Sequence, residues 1–412
     1  MKPYTFAQSE ELLQRSARCI PNGIYGHQAP AALVPGAYPY FFERGEGAHV
    51  WDVDGNEYID YMCSYGPIVL GHCHPKVEEA VRTQMRAGSC FNGPSRRWAE
   101  LAERLVGITP FADWAVFAKN GSDVTTWALE VARHHTGKSK VVMAKGAYHG
   151  THAWCTPVSA GTTPEDRANI LTFTYNDVQD LRRVVAEHDG QIAAIIITPF
   201  RHDAYHDQEL PVEDFHRGVR QLCDDKGIVL VLDDVRAGFR LHLGGSGEYF
   251  GFQPDLACYC KAIANGYPLS ACVGRDLVRR SAERVFFTGS YFTSAEPMAA
   301  ALACLEELEV SGGIAHMRRV GTLLQHGLDE LARHHGLAIT LSGPPAIPFM
   351  SFRDDTRFER NKVFGAACAA RGVYVHPHHN WFLSAAHSES DIQRTLEVAS
   401  EAFKEVTKQF PS

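Results

Sequence analysis

The stretch VLVLDDVRAGFR at residues 229–240 decides the fold. Its first four residues are all apolar, which is typical of a parallel strand that is buried on both faces. Asp233 and Asp234 follow directly, so at least one carboxylate lies at the carboxyl end of a strand, where open α/β sheets bind ligands. Asp is also common in turns and helix caps, and for this segment alone that simpler interpretation is the stronger one.

Similar apolar runs alternate with helical patterns through most of the chain. The strand-like runs are WAVFA at 114–118, KVVMA at 140–144, AAIIIT at 193–198, IVLVL at 228–232 and SACVG at 270–274, and helical segments include 122–135, 213–225 and 297–309. This alternation predicts an α/β fold with a mostly parallel central sheet that is covered by helices on both faces. From about residue 312 the pattern changes and predicts a second, smaller α+β domain.

Composition excludes several classes of protein. The chain has 412 residues, of which 45% are hydrophobic and 21% charged, so it can bury a large core. The formal net charge is −8 and no basic block is present, which argues against a nucleic-acid partner. No stretch resembles a secretory signal or a membrane span, and the 11 cysteines are scattered singly. We therefore expect a cytoplasmic protein with reduced thiols and no membrane association.

The next strand-like run after Asp233 and Asp234 is followed by a lysine. The segment PDLACYCKAIANGYPLSACVG at 254–274 contains Lys261 as its only charged residue between Leu256 and Gly274. In such an apolar context the amine is partly desolvated, which lowers its pKa and makes it a nucleophile toward carbonyl groups. Most lysines are solvated surface residues, but the apolar neighbours make that interpretation less convincing for Lys261.

Two upstream motifs offer an anion site and an aromatic ring. KNGSDVTTWALEVARHHTG at 119–137 opens a predicted helix with Gly121 and Ser122, whose backbone N–H groups suit a phosphate. Simple helix capping by Asn120 or Ser122 is the alternative. KGAYHGTHAW at 145–154 places Tyr148 and His149 in a turn, where an aromatic ring could stack on a planar cofactor or simply pack in the core.

The combination of these features is more informative than each motif alone. A phosphate site, an aromatic ring, a strand-end carboxylate and a carbonyl-seeking lysine are what pyridoxal 5′-phosphate requires of its protein. Asp233 would keep the pyridine nitrogen protonated through a charge-assisted hydrogen bond. Lys261 would bind the aldehyde and, once the substrate amine has displaced it, move a proton between the substrate α-carbon and the cofactor C4′. The cofactor would take up the nitrogen as pyridoxamine phosphate and return it in the second stage.

The chain resembles the class III pyridoxal-phosphate aminotransferases of fold type I, in the glutamate-1-semialdehyde aminomutase-like branch. The motifs that carry the resemblance are RGEGAHVWDVDGNEYIDY at 44–61, GPIVLGHCHP at 66–75 and FLSAAHSESDI at 382–392, in the family's order around the lysine. The resemblance implies that Lys261 binds the cofactor, that Asp233 is the pyridine partner, and that Val235 and Tyr148 lie on its two ring faces. It places Gly121 and Ser122 at the phosphate.

The same resemblance implies a homodimer with the active site at the subunit interface. Gly289 and Ser290 would then be the pair that one subunit donates to the phosphate of the other. It also implies that an N-terminal segment, 1–62, forms a small strand meander and joins the small domain. The predicted organisation is therefore this segment, a large cofactor-binding domain at 63–311 and a C-terminal small domain at 312–412.

Departures from the family pattern bear on the substrate. The position of the aminomutase arginine that binds the substrate carboxylate falls at Ala29, so we do not expect glutamate-1-semialdehyde as the substrate. The predicted substrate-side residues are Tyr25, His27, Ser64, Tyr65 and Arg201. Arg201 could bind a carboxylate or phosphate, or form a surface salt bridge. We expect the tract His376, His378 and His379 to shape the pocket, and we assign no metal.

These observations predict an enzyme that moves an amino group from an amino donor to a carbonyl acceptor by a ping-pong mechanism, in a specialised biosynthetic pathway. The first alternative is an aminomutase, which moves nitrogen within one molecule. The non-enzymatic alternative is a catalytically inactive, cofactor-binding regulatory protein. A nicotinamide-dependent oxidoreductase fits less well, because the glycine fingerprint for dinucleotides is absent.

Overall fold

The computed structural model describes residues 4–24 and 29–411. The α-helices are α1 (Ala7–Ser16), α2 (Pro30–Leu33), α3 (Pro75–Ala87), α4 (Arg96–Ile108), α5 (Gly121–Thr136), α6 (Pro164–Arg167), α7 (Val178–Glu187), α8 (Phe215–Lys226), α9 (Ser246–Phe250), α10 (Asp276–Ala282), α11 (Ala295–Val310), α12 (Gly313–His334), α13 (Glu359–Ala369) and α14 (Glu389–Gln409). Short 3₁₀ helices span Cys63–Tyr65 and Lys261–Ala264.

The strands are β1 (Phe42–Glu46), β2 (His49–Asp52), β3 (Glu57–Asp60), β4 (Trp114–Ala118), β5 (Lys140–Ala144), β6 (Ile170–Phe173), β7 (Ile192–Ile197), β8 (Val229–Asp233), β9 (Leu256–Tyr259), β10 (Ser270–Gly274), β11 (Ile339–Ser342), β12 (Phe349–Phe352) and β13 (Val373–Tyr374). All five strands predicted from apolar runs are present. The strand pattern before Lys261 corresponds to β9, whereas the sequence analysis missed β6 and β11, which are four residues long and carry weaker patterns.

The chain folds as two compact units. Unit 1 comprises Met1–His74, Ala204–Gln208 and Ala315–Ser412, and unit 2 comprises Pro75–Asp203 and Glu209–Ile314. The domain boundaries expected from the sequence lie after residues 62 and 311. Residues 204–208 belong to unit 1, although the residues on either side of them belong to unit 2. Nothing in the sequence pattern predicts this assignment.

Unit 2 contains a seven-stranded sheet in the order β4-β10-β9-β8-β7-β5-β6. Its strands from β9 to β6 are mutually parallel, whereas β10 runs antiparallel to both β4 and β9. Every residue of β7 and β8 is buried, which explains why these strands are continuous apolar runs and do not alternate. The predicted mostly parallel α/β sheet is confirmed.

Unit 1 contains a four-stranded sheet in the order β1-β2-β3-β13, together with the β11–β12 hairpin. The turn between β2 and β3 is organised by Asp52, a buried carboxylate that accepts the hydroxyl of Tyr58 at 2.8 Å and the backbone N–H of Asn56 at 2.8 Å. Gly55 takes a left-handed conformation at the tip, with φ of 83°. β13 then adds in parallel to β3, so the N-terminal meander and the C-terminal segment share one sheet.

Within residues 4–24 and 29–411, none of the helices combines the length and the hydrophobicity that a membrane span requires.

Candidate active site

Two neighbouring strands end side by side at the centre of the unit 2 sheet. β8 ends at Asp233, whose position pairs with Cys258 of the parallel strand β9, and β9 is followed by Cys260 and Lys261. Lys261 has φ of 42°, an uncommon backbone conformation for a residue with a side chain. Because the strands are parallel, their carboxyl ends lie at the same edge of the sheet, where α/β folds bind ligands.

Asp233 is held by two hydrogen-bond donors. Nδ1 of His149 donates to Oδ2 at 2.8 Å, and the backbone N–H of Val235 donates to Oδ1 at 3.2 Å. Asp233 and His149 are 5% and 2% exposed, so the pair is shielded from water. His149 also stacks on Trp154, with ring centroids 6.2 Å apart. The ring and the hydrogen bond together fix the orientation of the carboxylate.

The adjacent Asp234 has a different surrounding. Its carboxyl group accepts the backbone N–H of Ser246 at 2.7 Å and also the Ser246 hydroxyl, at the first turn of α9. Burial raises the pKa of Asp234 to about 7. Asp234 therefore anchors the loop after β8, and Asp233 is the carboxylate that faces the His149 side.

The first turn of α5 lies next to Val235, two residues after Asp233. A Cβ built on Gly121 would lie 3.1 Å from both methyl groups of Val235, so glycine allows the close approach of the helix end. Ser122 Oγ accepts the backbone N–H of Thr151 at 3.0 Å. Asp123 accepts the N–H of Asn120 at 2.8 Å, which fixes the start of the helix. A helix N-terminus with this geometry favours an anion.

Lys261 has the electrostatic environment of a reactive amine. Burial, together with the smaller effect of the Arg236 guanidinium, lowers its pKa to about 8, whereas Asp233 acts in the opposite direction. Arg236 is itself buried, and its Nη1 donates to the carbonyl of His202 at 2.8 Å. Sequence reasoning missed Arg236 as a functional residue, although its position three residues after Asp233 in the quoted stretch could have indicated it.

The other predicted residues are distributed more widely. Tyr148 is 39% exposed in the turn before His149. Arg201 pairs with Asp203, with Nε and Oδ2 at 2.8 Å. Gly289 and Ser290 lie in the loop that joins α10 to α11. Ser64 and Tyr65 belong to unit 1, in a 3₁₀ helix with φ of 55° and 63°, and the predicted substrate residues Tyr25 and His27 lie outside the described residues.

The histidine tract lies in unit 1, where the ring of His376 contacts the rings of His378 and His379. The centroids of His376 and His379 are 5.7 Å apart, and those of His376 and His378 are 6.3 Å apart. Across the described ranges, no group of three or more His, Cys, Asp or Glu side chains has an arrangement suited to a metal ion.

The sequence matches the family Aminotransferase class-III over residues 33–399. The chain belongs to the class III aminotransferases. The aminopentol aminotransferase of Sphingopyxis macrogoltabida is 44% identical over 405 residues, which cover 98% of this chain and 96% of that protein. A glutamate-1-semialdehyde 2,1-aminomutase of Thermus thermophilus is 36% identical over 96% of this chain and 99% of that protein.

A solved structure supports the fold and the cofactor of this class III aminotransferase. The FumI protein of Sphingopyxis sp. MTA144, in its PLP internal aldimine form, superposes with a TM-score of 0.96 at 44% identity and covers 98% of both chains. The predicted fold type I, the predicted transamination and the predicted pyridoxal phosphate are thereby confirmed.

The residues of unit 2 fit this cofactor. Gly121 leaves space beside Val235 that a Cβ would fill, and a Cβ on Gly150 would overlap Ser122. The buried His149–Asp233 pair supplies a carboxylate that suits a protonated pyridine nitrogen, and the pKa of Lys261 suits an amine that combines with an aldehyde. The three parts of the cofactor thus have matching groups on one sheet edge and one helix end.

Proposed function

We propose that this enzyme transfers the amino group of a primary amine to a carbonyl acceptor in two half-reactions, with Lys261 as its catalytic residue. The observation that carries the proposal is the placement of Asp233 and Lys261 at adjacent ends of β8 and β9, with His149 hydrogen-bonded to Asp233. When bound, pyridoxal phosphate carries the amino group between the substrates and withdraws electrons from the reacting carbon.

Four groups would hold the cofactor in this proposal. Asp233 would hold a proton at the pyridine nitrogen, and His149 acts through Asp233 by fixing its carboxylate. Gly121 and Ser122 would bind the phosphate at the N-terminus of α5. Val235, which contacts Gly121, would pack on one face of the ring, and Tyr148 would stack on the other.

Lys261 would move the proton that transamination requires. With a pKa of about 8, a substantial fraction of its side chain is neutral near pH 7.5 and can accept a proton at Nζ from the substrate α-carbon. Because Arg236 destabilises the protonated amine, the same proton is readily returned. Arg236 thus favours both the uptake of the proton by Lys261 and its return.

The amine donor in this proposal is an amino alcohol without an α-carboxylate. The aminopentol aminotransferase, 44% identical, acts on such a compound according to its name. The position of the aminomutase arginine is Ala29 in this chain, and Arg201 is already paired with Asp203. These features disfavour a substrate carboxylate in the donor half-reaction and support a role in the specialised metabolism of amino alcohols.

We also propose a homodimer whose subunits share their active sites. The loop with Gly289 and Ser290 is flanked by Phe286, which is 86% exposed, and Tyr291, which is 67% exposed. Large exposed apolar side chains of this kind are typical of interfaces between subunits. A cytoplasmic location is supported by the free thiols of all 11 cysteines.

The test is a donor half-reaction with purified enzyme. Incubation with an amino alcohol in the absence of a carbonyl acceptor is expected to convert bound cofactor to pyridoxamine phosphate, detected by absorbance and mass spectrometry. Addition of a 2-oxo acid such as pyruvate is expected to regenerate the starting form. Lys261→Ala is the control and is expected to show neither step. Failure of every amine to convert the wild-type cofactor would contradict the proposal.

An aminomutase is the second candidate, because a protein of that name is 36% identical to this chain. Mass balance separates the two functions. An aminomutase isomerises a single substrate and consumes no second one, whereas a transaminase yields one carbonyl product for each amine product. Turnover of one compound alone, with no dependence on an acceptor, would favour the aminomutase.

A further inference from the structure

Hydroxyl groups on α5 hold the turn that carries Tyr148 and His149. The hydroxyl of Thr125 donates to the carbonyl of His149 at 2.9 Å, and Ser122 Oγ accepts the backbone N–H of Thr151 at 3.0 Å. Both contacts involve backbone atoms of the turn, so they fix its path along the helix. The helix and the turn both belong to unit 2.

Thr126, the next residue on α5, contacts side chains of the turn instead. Its Oγ1 accepts the indole N–H of Trp154 at 2.8 Å and lies 2.8 Å from Nδ1 of His152. A threonine inside a helix commonly returns its hydroxyl to a carbonyl of the preceding turn. Thr136 does so in the last turn of the same helix, where its hydroxyl donates to the carbonyl of Ala132 at 2.8 Å. The hydroxyl of Thr126 is therefore directed at the indole and the imidazole beside it.

The indole that Thr126 holds is stacked on the ring of His149. The two rings are nearly parallel, with an interplanar angle of 15° and centroids 6.2 Å apart. Nδ1 of His149 donates to Asp233 at 2.8 Å, whereas Nε2 is buried and has no hydrogen-bond partner among the residues that the structure describes. A single hydrogen bond leaves a ring free to tilt, so the stacked indole sets the plane of the imidazole.

These contacts form a continuous chain from α5 to the end of β8. Its members, in order of contact, are Thr126, Trp154, His149 and Asp233. The last two are 2% and 5% exposed, so water does not compete for the hydrogen bond between them. A change in the first member is therefore transmitted to the carboxylate through side chains that already touch.

We propose that Thr126 is a positioning residue of the active site. Its hydroxyl holds Trp154 flat against His149, and His149 then presents Asp233 to the pyridine nitrogen of the cofactor. This inference rests on the proposed function, which gives Asp233 that role. Because Thr126 acts through two other side chains, loss of its hydroxyl weakens the hold on the pyridine proton and leaves the amine of Lys261 in place.

The experiment compares Thr126→Val with wild-type protein in the absence of any substrate. Valine keeps the branched shape of threonine and removes the hydroxyl. The first readout is a titration of cofactor-free protein with pyridoxal phosphate. We expect the dissociation constant to rise about tenfold, as is usual for groups that orient a ligand through another residue.

The second readout is nitrogen NMR of bound cofactor that is isotopically labelled at its ring nitrogen, which reports the protonation of that atom directly. The pH at which the nitrogen loses its proton is expected to fall by about one unit in Thr126→Val, which corresponds to a tenfold weaker hold on the proton. A general loosening of α5 would lower the affinity for pyridoxal phosphate without moving this midpoint. The second readout thus separates positioning from a purely structural role.

Three further variants serve as rescue, control and independent test. Thr126→Ser restores the hydroxyl and is expected to recover most of both losses. Thr136→Val removes a hydroxyl that bonds only within α5 and the residues after it, and is expected to behave as wild type. Trp154→Phe keeps an aromatic face against His149 and removes the indole N–H. The double variant of Thr126→Val and Trp154→Phe is expected to lose no more than either single variant, because both remove the same hydrogen bond.

The midpoint of the ring nitrogen decides the question. If that nitrogen keeps its proton over the same pH range in folded Thr126→Val as in wild type, the inference is overturned, whatever the dissociation constant. A shift that Thr136→Val shows equally, or that Thr126→Ser does not reduce, would overturn it as well. Should Thr126→Val fail to fold, Trp154→Phe decides by the same two readouts. Neither readout needs turnover, so an enzyme that binds the cofactor and transfers no amino group would refute the proposed function alone.

Discussion

Lys261 illustrates how single residues set the chemistry of this enzyme. It follows a fully buried strand, it has a left-handed backbone, and the guanidinium of Arg236 acts electrostatically on its amine. An amine in this environment loses its proton more readily than a solvated lysine, because burial and a positive neighbour both disfavour the charged form. The reactivity is thus a property of the surroundings and can be tuned by one substitution.

The pH dependence of Lys261 can be measured on cofactor-free protein. The rate at which it combines with pyridoxal phosphate is expected to rise with pH and to level off with a midpoint near 8, because the neutral amine is the nucleophile. Arg236→Gln removes a positive neighbour and is expected to move the midpoint upward. Arg236→Lys keeps the charge and should leave it nearly unchanged. A wild-type midpoint near 10.5, the value of a solvated lysine, would contradict this account.

His149 provides a test of positioning at the residue scale. His149→Phe retains stacking on Trp154 and removes the donor to Asp233, so the carboxylate loses one of its two hydrogen bonds. We expect kcat to fall by about tenfold or more, as is usual for groups that orient a ligand. His149→Asn, which can still donate to Asp233, is expected to recover part of this loss. The absorbance spectrum of the bound cofactor is the independent readout, and an unchanged spectrum and kcat in His149→Phe would refute the role.

At the scale of elements, the N-terminus of α5 owes its position to the absence of a side chain. Gly121→Ala would place a Cβ 3.1 Å from both Val235 methyl groups and push the first turn away from β8. The dissociation constant of pyridoxal phosphate, measured by fluorescence titration, is expected to rise about tenfold. Gly107→Ala in α4 is the control, because its Cβ would meet nothing within 4 Å and the residue is also helical. Equal affinities in the two variants would argue against the proposed phosphate site.

His49 links three elements of unit 1 and makes their stability depend on pH. It lies 3.1 Å from Asp391 on α14 and 3.0 Å from Glu57 on β3, and the hydrogen bond to Asp391 raises its pKa. A raised folded-state pKa contributes stability below about pH 6.5, the unfolded value, and this stability is lost as the pH rises through the folded-state pKa.

The variant His49→Gln tests this dependence. It is expected to lower stability by about 1 kcal/mol at pH 6, with a smaller effect at pH 9, because the partners are partly exposed and screened. Melting temperatures at the two pH values check the prediction. Thr407→Val, at the far end of α14, is a control whose effect should not depend on pH. A loss for His49→Gln that is equal at both pH values would contradict the charge-based explanation.

At the scale of the whole molecule, the proposed shared active site predicts complementation between subunits. Sedimentation is expected to give about 91 kDa, twice the 45.6 kDa of the chain. Lys261→Ala is expected to be inactive because it lacks the amine that binds the cofactor. Gly289→Trp is expected to be inactive because it fills the loop that would reach the phosphate of the other subunit. When the two are co-expressed, mixed dimers hold one intact site, so about a quarter of wild-type activity is expected from random pairing. No recovery in verified mixed dimers would show that the loop of one subunit does not serve the other.

The local pattern of the chain already determined the architecture and the two central groups. Uninterrupted apolar runs predicted the buried strands, because a strand with both faces covered has no polar positions. Asp233 and Lys261 stand out for a related reason: each is a charge at the end of an apolar run, and such a charge is rarely retained without a chemical role. These signals need only the neighbouring residues, so the sequence carries them.

The tertiary structure alone decided which distant groups meet. His149 lies 84 residues from Asp233, and Tyr205 reaches His378 from a five-residue excursion within unit 2. The sequence left Arg201 as either a substrate residue or a salt-bridge partner, and in the structure it pairs with Asp203, while Arg236 acts on Lys261. Hydrophobic periodicity fixes which face of an element is buried, whereas the partner across a site depends on strand order and on the path of each loop. That path is set by packing over the whole chain, which no local pattern encodes.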